Sequence, residues 1–120
     1  MEDFEKTYVD GVVLIVVNLC RSTINESDAF RRLVEEEINS SHTKFVIDLS
    51  KCDYIDSTFF GAIIMALNTT KDFGEKLKII KPVNPKDDIF IRTKTLELFD
   101  FYRSRKAAIK SFESGSQPKK

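Results

Sequence analysis

The stretch Lys44-Phe45-Val46-Ile47-Asp48-Leu49-Ser50-Lys51-Cys52-Asp53-Tyr54-Ile55-Asp56-Ser57-Thr58-Phe59-Phe60-Gly61-Ala62-Ile63-Ile64-Met65-Ala66-Leu67 decides the fold. Phe45 to Leu49 is a short apolar run of the kind that forms a buried strand, a polar turn follows it, and the apolar spacing predicts a helix from about Ser57. A buried strand feeding a helix sets the helix N-terminus at the carboxyl edge of a sheet. There, unpaired backbone N–H groups and the helix dipole favour negative charge. Asp56, Ser57 and Thr58 occupy that spot, a carboxylate beside two hydroxyls, which is a place for a phosphate.

At about 100° per residue, Phe60, Ile63, Ile64 and Leu67 form one bulky stripe, the expected core face of this helix. The opposite side carries Thr58, Gly61, Ala62, Met65 and Thr69, small and uncharged where a surface helix usually shows Lys and Glu. A flat patch with one Met suits a docking partner. The competing reading is that another part of the chain covers it.

Working outward, Phe4 to Asp10 and Val12 to Leu19 read as strands joined by Asp10-Gly11, a hairpin signal. The second run is almost continuously apolar, as a strand covered on both faces requires. After a polar connection, Asn25 is the expected cap of a helix whose Phe30, Leu33, Val34 and Ile38 recur at helical spacing, with Arg31, Arg32, Glu35, Glu36 and Glu37 towards solvent. His42 closes this segment as a surface residue. Beyond the central helix, Phe73-Gly74 is a helix stop, Leu77 to Lys81 a strand ended by Pro82, and Pro85 the start of a short helix through about Arg92. Phe99 to Tyr102 reads as a last strand, and Ser104 caps a final helix with Ala107, Ala108, Ile109 and Phe112 inside. The order ββαβαβαβα argues for an α/β layer structure: a mostly parallel mixed sheet of about five strands with about four helices. Residues 1–113 are expected to form this single domain, and 114–120 a flexible tail.

The 120 residues hold 19 Lys plus Arg and 19 Asp plus Glu, so the formal net charge is zero and nothing global points to nucleic acid. Cys20 and Cys52 are too few for a zinc site or a disulfide scaffold, and no metal or cofactor is expected. No apolar run reaches the roughly 20 residues needed to cross a bilayer. The start lacks the basic region of a secretion signal, so a cytoplasmic protein with reduced thiols is expected. Enzymatic readings lack parts. There is no Gly-rich phosphate loop or metal-ligand spacing, and a Ser or Thr nucleophile would need a base where the chain has one His.

Val46-Ile47-Asp48-Leu49-Ser50, then Tyr54-Ile55-Asp56-Ser57-Thr58-Phe59-Phe60-Gly61, resembles the signature of STAS domains, which include the anti-sigma factor antagonists of bacteria. The family pattern is an apolar strand ending in Asp-Leu-Ser, then Asp-Ser-Ser-Gly-Leu-Gly opening a helix. Asp56, Ser57 and Gly61 match, Thr58 stands at the second Ser, and Phe59 replaces the first Gly. The resemblance runs from the first hairpin to the last helix. It implies a protein that binds an anti-sigma factor, itself often a serine/threonine kinase using ATP, and is switched off by phosphorylation at Thr58, with Ser57 the second choice, regulating sigma-factor-dependent transcription. A PP2C-type phosphatase would reverse the modification. The implied contact set is Asp56, Ser57, Thr58, Phe59, Gly61, Ala62, Met65 and Thr69. The alternatives are an unphosphorylated STAS interaction module, such as a soluble subunit of a transport ATPase, and a Thr58 hydroxyl that merely caps its helix.

Overall fold

The computed structural model describes residues 2–83, 85 and 87–113. Strands β1 (Phe4–Val9) and β2 (Val12–Val17) form the expected hairpin. Its tight turn needs two residues at positive φ, supplied by Asp10 (54°) and Gly11 (81°). All six residues of β2 are buried. Val13, Ile15 and Val17 pack into one hydrophobic cluster, while Val12, Leu14 and Val16 pack into a second one on the other face of the sheet.

The chain continues through β3 (Arg21–Ser22), α1 (Ile24–Asn39), β4 (Phe45–Asp48), β5 (Tyr54–Ile55) and α2 (Ser57–Lys71). It ends with β6 (Lys78–Ile80), α3 (Ile89–Arg92), a 3-10 turn (Leu96–Leu98), β7 (Asp100–Tyr102) and α4 (Arg105–Ser111). The main sheet has the order β1-β2-β4-β6-β7, parallel throughout except for the β1 hairpin edge. This is the mixed five-stranded sheet with four helices read from the sequence. The two-residue strands β3 and β5 pair in parallel with each other and were not expected.

Helices α1 and α2 and the short α3 cover one face of the sheet, through Phe30, Val34, Phe59, Ile63, Ile89 and Phe90. Among the described residues, α4 alone covers the other, through Ala108 and Ile109. The stop of α2 follows the expected pattern, with Gly74 at φ 78° and the Glu75 N–H returning to the Thr70 carbonyl at 3.0 Å.

Four local expectations shift. The cap of α1 is Thr23, not Asn25, in a capping box with Glu26, whose carboxylate accepts from the Thr23 N–H at 2.8 Å. Helix α3 begins at Ile89 rather than Pro85, because Asp88 caps it by accepting from the Phe90 and Ile91 N–H groups. Glu37, expected in solvent, is buried; Lys6 and the Tyr8 hydroxyl on β1 donate to it, and His42 Nδ1 lies 3.1 Å from its other oxygen. His42 is correspondingly half-buried rather than free on the surface. The expected tail, 114–120, lies outside the described residues.

Candidate functional site

The β3–β5 ladder builds the site by aligning the starts of the two long helices. Arg21 pairs with Tyr54 and Ser22 with Ile55. The ladder is extended by Asp53 N–H to Cys20 C=O at 2.7 Å and by Asp56 N–H to Ser22 C=O at 3.0 Å. The Arg21 guanidinium sits 4.5 Å from the centre of the Tyr54 ring. Directly beyond this ladder, α1 begins at Ile24 and α2 at Ser57.

Asp56 joins the two. One carboxylate oxygen accepts from the Phe59 N–H at 2.8 Å and caps α2. The other accepts from the Ile24 N–H, the first of α1, at 2.9 Å. The partial positive charges of two helix N-termini therefore meet at one carboxylate. Both of its oxygens are committed to N–H donors, and His42 lies at the amino edge of β4, the opposite end of the sheet. Among the described residues, neither Asp56 nor His42 is thereby placed to activate a Ser57 or Thr58 nucleophile.

With Asp56 as the cap, Ser57 and Thr58 are the first two residues inside the helix. Both are exposed, and among the described residues neither hydroxyl has a hydrogen-bond partner. The reading of Thr58 as a capping hydroxyl is thus replaced, because Asp56 holds the N–H that a cap would take.

The expected docking face is only partly on the surface. Of its residues, Thr58 and Gly61 are exposed and Met65 and Thr69 half-buried; beside them Asn68 is exposed and Ile64 half-buried. Thr69 turns its hydroxyl back to the Met65 carbonyl at 2.9 Å. Ala62, placed on that face by the sequence, and Phe59, part of the implied contact set, are both fully buried. The Phe59 ring lies 5.1 Å from Phe30 of α1 and stacks on Phe4 of β1 at 6.3 Å. Ala62 and Ala66 are small because α2 faces α1 as well as the sheet, so the buried side is wider than one stripe. Ile64, expected inside, rotates correspondingly to the half-exposed side. Since the Phe59 ring turns inward, it leaves Thr58 clear.

What sequence reasoning missed is Ile24. Its side chain is 62 % exposed next to Asp56, an apolar group beside the two free hydroxyls. The available surface thus runs from Ile24 through Ser57 and Thr58 to Gly61, Ile64, Met65, Asn68 and Thr69. No charged residue interrupts α2 between Asp56 and Lys71.

The STAS domain family model matches residues 6–108, most of the chain and both sides of this site. The chain belongs to the STAS domain family. Among curated proteins none matches it in sequence. In structure, this STAS domain is similar to a candidate anti-sigma factor antagonist of Thermotoga maritima, with TM-score 0.82 and 22% identity over 92% of this chain and 94% of that one. It is also similar to an anti-sigma factor antagonist of Mycobacterium paratuberculosis, with TM-score 0.76 and 17% identity over 92% of each chain. The Bacillus cell fate determinant SpoIIAA in its phosphorylated form gives TM-score 0.72 and 13% identity, covering 91% of this chain and 98% of that one. At these identities the likeness establishes the shared fold. No helix among the described residues is long and apolar enough to cross a membrane.

Proposed function

We propose that this STAS domain is an anti-sigma factor antagonist, a bacterial cytoplasmic binding module switched by phosphorylation of Thr58, with Ser57 the second choice. The single observation that carries the reading is the exposed, unpartnered Thr58 hydroxyl at the start of α2, free because Asp56 does the capping. The names of the similar structures add to it, since one is an anti-sigma factor antagonist, one a candidate for that role and one a phosphorylated protein. The partner is an anti-sigma factor with serine/threonine kinase activity, and a PP2C-type phosphatase restores binding.

The contact surface consists of Ile24, Asp56, Ser57, Thr58, Gly61, Met65 and Thr69. Phe59 and Ala62 leave the contact set because they are inside. Phosphate on Thr58 adds about −1.5 to −2 charges beside Asp56, at the start of a helix that carries no charged residue between Asp56 and Lys71. A unit like charge on a partner about 6 Å away would be repelled by about 3 kcal/mol at an effective dielectric near 20. That is roughly a hundredfold in affinity. The domain tolerates the group itself, because the first N–H groups of α2 point towards it.

The test is to incubate the purified chain with ATP and a lysate of its native cells and to map phosphate by mass spectrometry, with Thr58→Ala as the control. Phosphate on Thr58, absent from the control, is expected. Modification on Ser57 alone moves the site while keeping the switch. Absence from both residues across several growth conditions would overturn the switch and favour a permanent docking module of the transport-ATPase-subunit kind.

A further inference from the structure

The face of the sheet away from α1 and α2 carries a second concavity, unrelated to Thr58. Across three adjacent parallel strands, Asp48 is in register with Ile80, and Ile80 with Tyr102. They are the last residues of β4, β6 and β7, and Ile80 and Tyr102 pack in the cluster beneath α4. This row floors an open cleft of about 820 Å³ at the carboxyl edge of the sheet, where parallel α/β sheets place their ligands. Ser50, Lys81, Pro82, Val83, Arg103, Ser104 and Arg105 complete it.

Three features of this cleft are not engaged in the fold. Among the described residues, the Arg103 guanidinium and the Tyr102 hydroxyl have no hydrogen-bond partner, whereas the Ser50 side chain is turned to Asp48. Val83, on the lip, is 79 % exposed, the highest value among the large apolar side chains described. Arg105 is held by a buried carboxylate: its Nε donates to Asp48, itself 3 % exposed, leaving the terminal nitrogens of the guanidinium unengaged. Burial works against ionisation of Asp48, but the hydrogen bonds from Arg105 and Ser50 outweigh it and keep the carboxyl below its usual range. Lys81 is already neutralised by Asp88 at 2.6 Å, so Arg103 and the outer edge of Arg105 supply the available positive charge.

We infer that this cleft binds a small organic phosphate, its phosphate held by Arg103, Arg105 and the Tyr102 hydroxyl, and its apolar body laid against Pro82 and Val83. Planar guanidinium groups match tetrahedral oxyanions with paired N–H donors, and the hydroxyl completes the set. A volume of this size takes an organic molecule rather than a bare ion. The reading goes beyond the proposed switch and uses none of its residues.

The test titrates the full chain with phenyl phosphate, inorganic phosphate, phenol and benzoate, following backbone amide shifts by NMR. Phenyl phosphate should shift the amides of Ser50, Val83, Arg103 and Arg105 and bind at least several-fold tighter than each of the other three. Arg103→Gln, an exposed residue with no partner to lose, should weaken it about tenfold. Arg105→Gln should weaken it as well, with a thermal melt separating lost binding from the unpairing of Asp48. Thr58→Ala should bind as the parent does. Equal binding of inorganic phosphate or benzoate, shifts located elsewhere, or unchanged affinity in Arg103→Gln would overturn the assignment.

Discussion

Asp56→Ala, set against Thr58→Ala, separates the architecture of the site from its proposed chemistry. Removing the Asp56 carboxylate uncaps α2 at Phe59, which costs about 1 kcal/mol. It also frees the Ile24 N–H of α1, an exposed group that water can re-solvate, adding about 0.5–1 kcal/mol. The sum is about 1.5–2 kcal/mol. For a domain of this size, with an unfolding entropy of about 0.25 kcal/mol/K, that lowers Tm by about 6–8 °C. Asp56→Asn keeps an oxygen acceptor and should lose less than half as much. Thr58→Ala removes a hydroxyl without a partner and should stay within about 2 °C of the parent. Thermal unfolding followed by circular dichroism at neutral pH measures all three. If Thr58→Ala fell as far as Asp56→Ala, the Thr58 hydroxyl would be part of the fold, and the case for its freedom to accept phosphate would collapse.

Further outcomes follow from burial and charge. Phe59→Ala should cost about 3–5 kcal/mol, read as a much lower urea midpoint, because the ring is enclosed by Phe4 and Phe30; near-parental stability would return Phe59 to the surface. Burial raises the Glu37 carboxyl, yet the hydrogen bonds from Lys6 and Tyr8 outweigh it and the net shift is downward from 4.5. A lowered carboxylate stabilises the fold above its unfolded pKa and loses that contribution as pH falls through the folded one. Stability should therefore decline as pH drops below about 4.5, and Glu37→Gln, weaker at pH 7, should show a flatter decline; an unchanged slope would contradict this. Cys52 is buried and its thiol is pushed up to about 11, chiefly by burial, whereas Cys20 is exposed and donates to Asp53 at 3.1 Å. Iodoacetamide at pH 8 should label Cys20 first, and faster in Asp53→Asn; prior labelling of Cys52 would refute the placement.

The sheet was legible because its signals are local. Asp10-Gly11 supplies the positive φ of the hairpin, and the unbroken run Val12 to Val17 marks a strand covered on both faces. The placement of the candidate residues was legible for the same reason, since Asp56-Ser57-Thr58 lies beyond a buried strand and opens a helix. Which side chains face outward was not. A helix touching one layer buries a single stripe, but α2 touches both α1 and the sheet, so Ala62 goes inside and Ile64 turns half out. The capping box of Thr23 and Glu26 was written in the sequence, overshadowed by Asn25, a competing cap residue with an acidic residue, Asp28, three positions on. Glu37 sits among three consecutive glutamates, and only the distant Lys6 and Tyr8 explain why that one is buried. Ile24 was missed because its exposure depends on Asp56, 32 residues away, fixing the start of α1.

The Asp56 clasp also sets how the chain can change in length. The connections leading into α1 and α2 are sewn together by the β3–β5 ladder and then by one carboxylate. An insertion or deletion in either would pull its helix start out of line with the other, so the two loops must keep matched lengths. Peptide tags, linkers or circular-permutation breaks placed between Leu19 and Ile24 or between Leu49 and Ser57 should therefore be poorly tolerated, even where the individual residues are exposed.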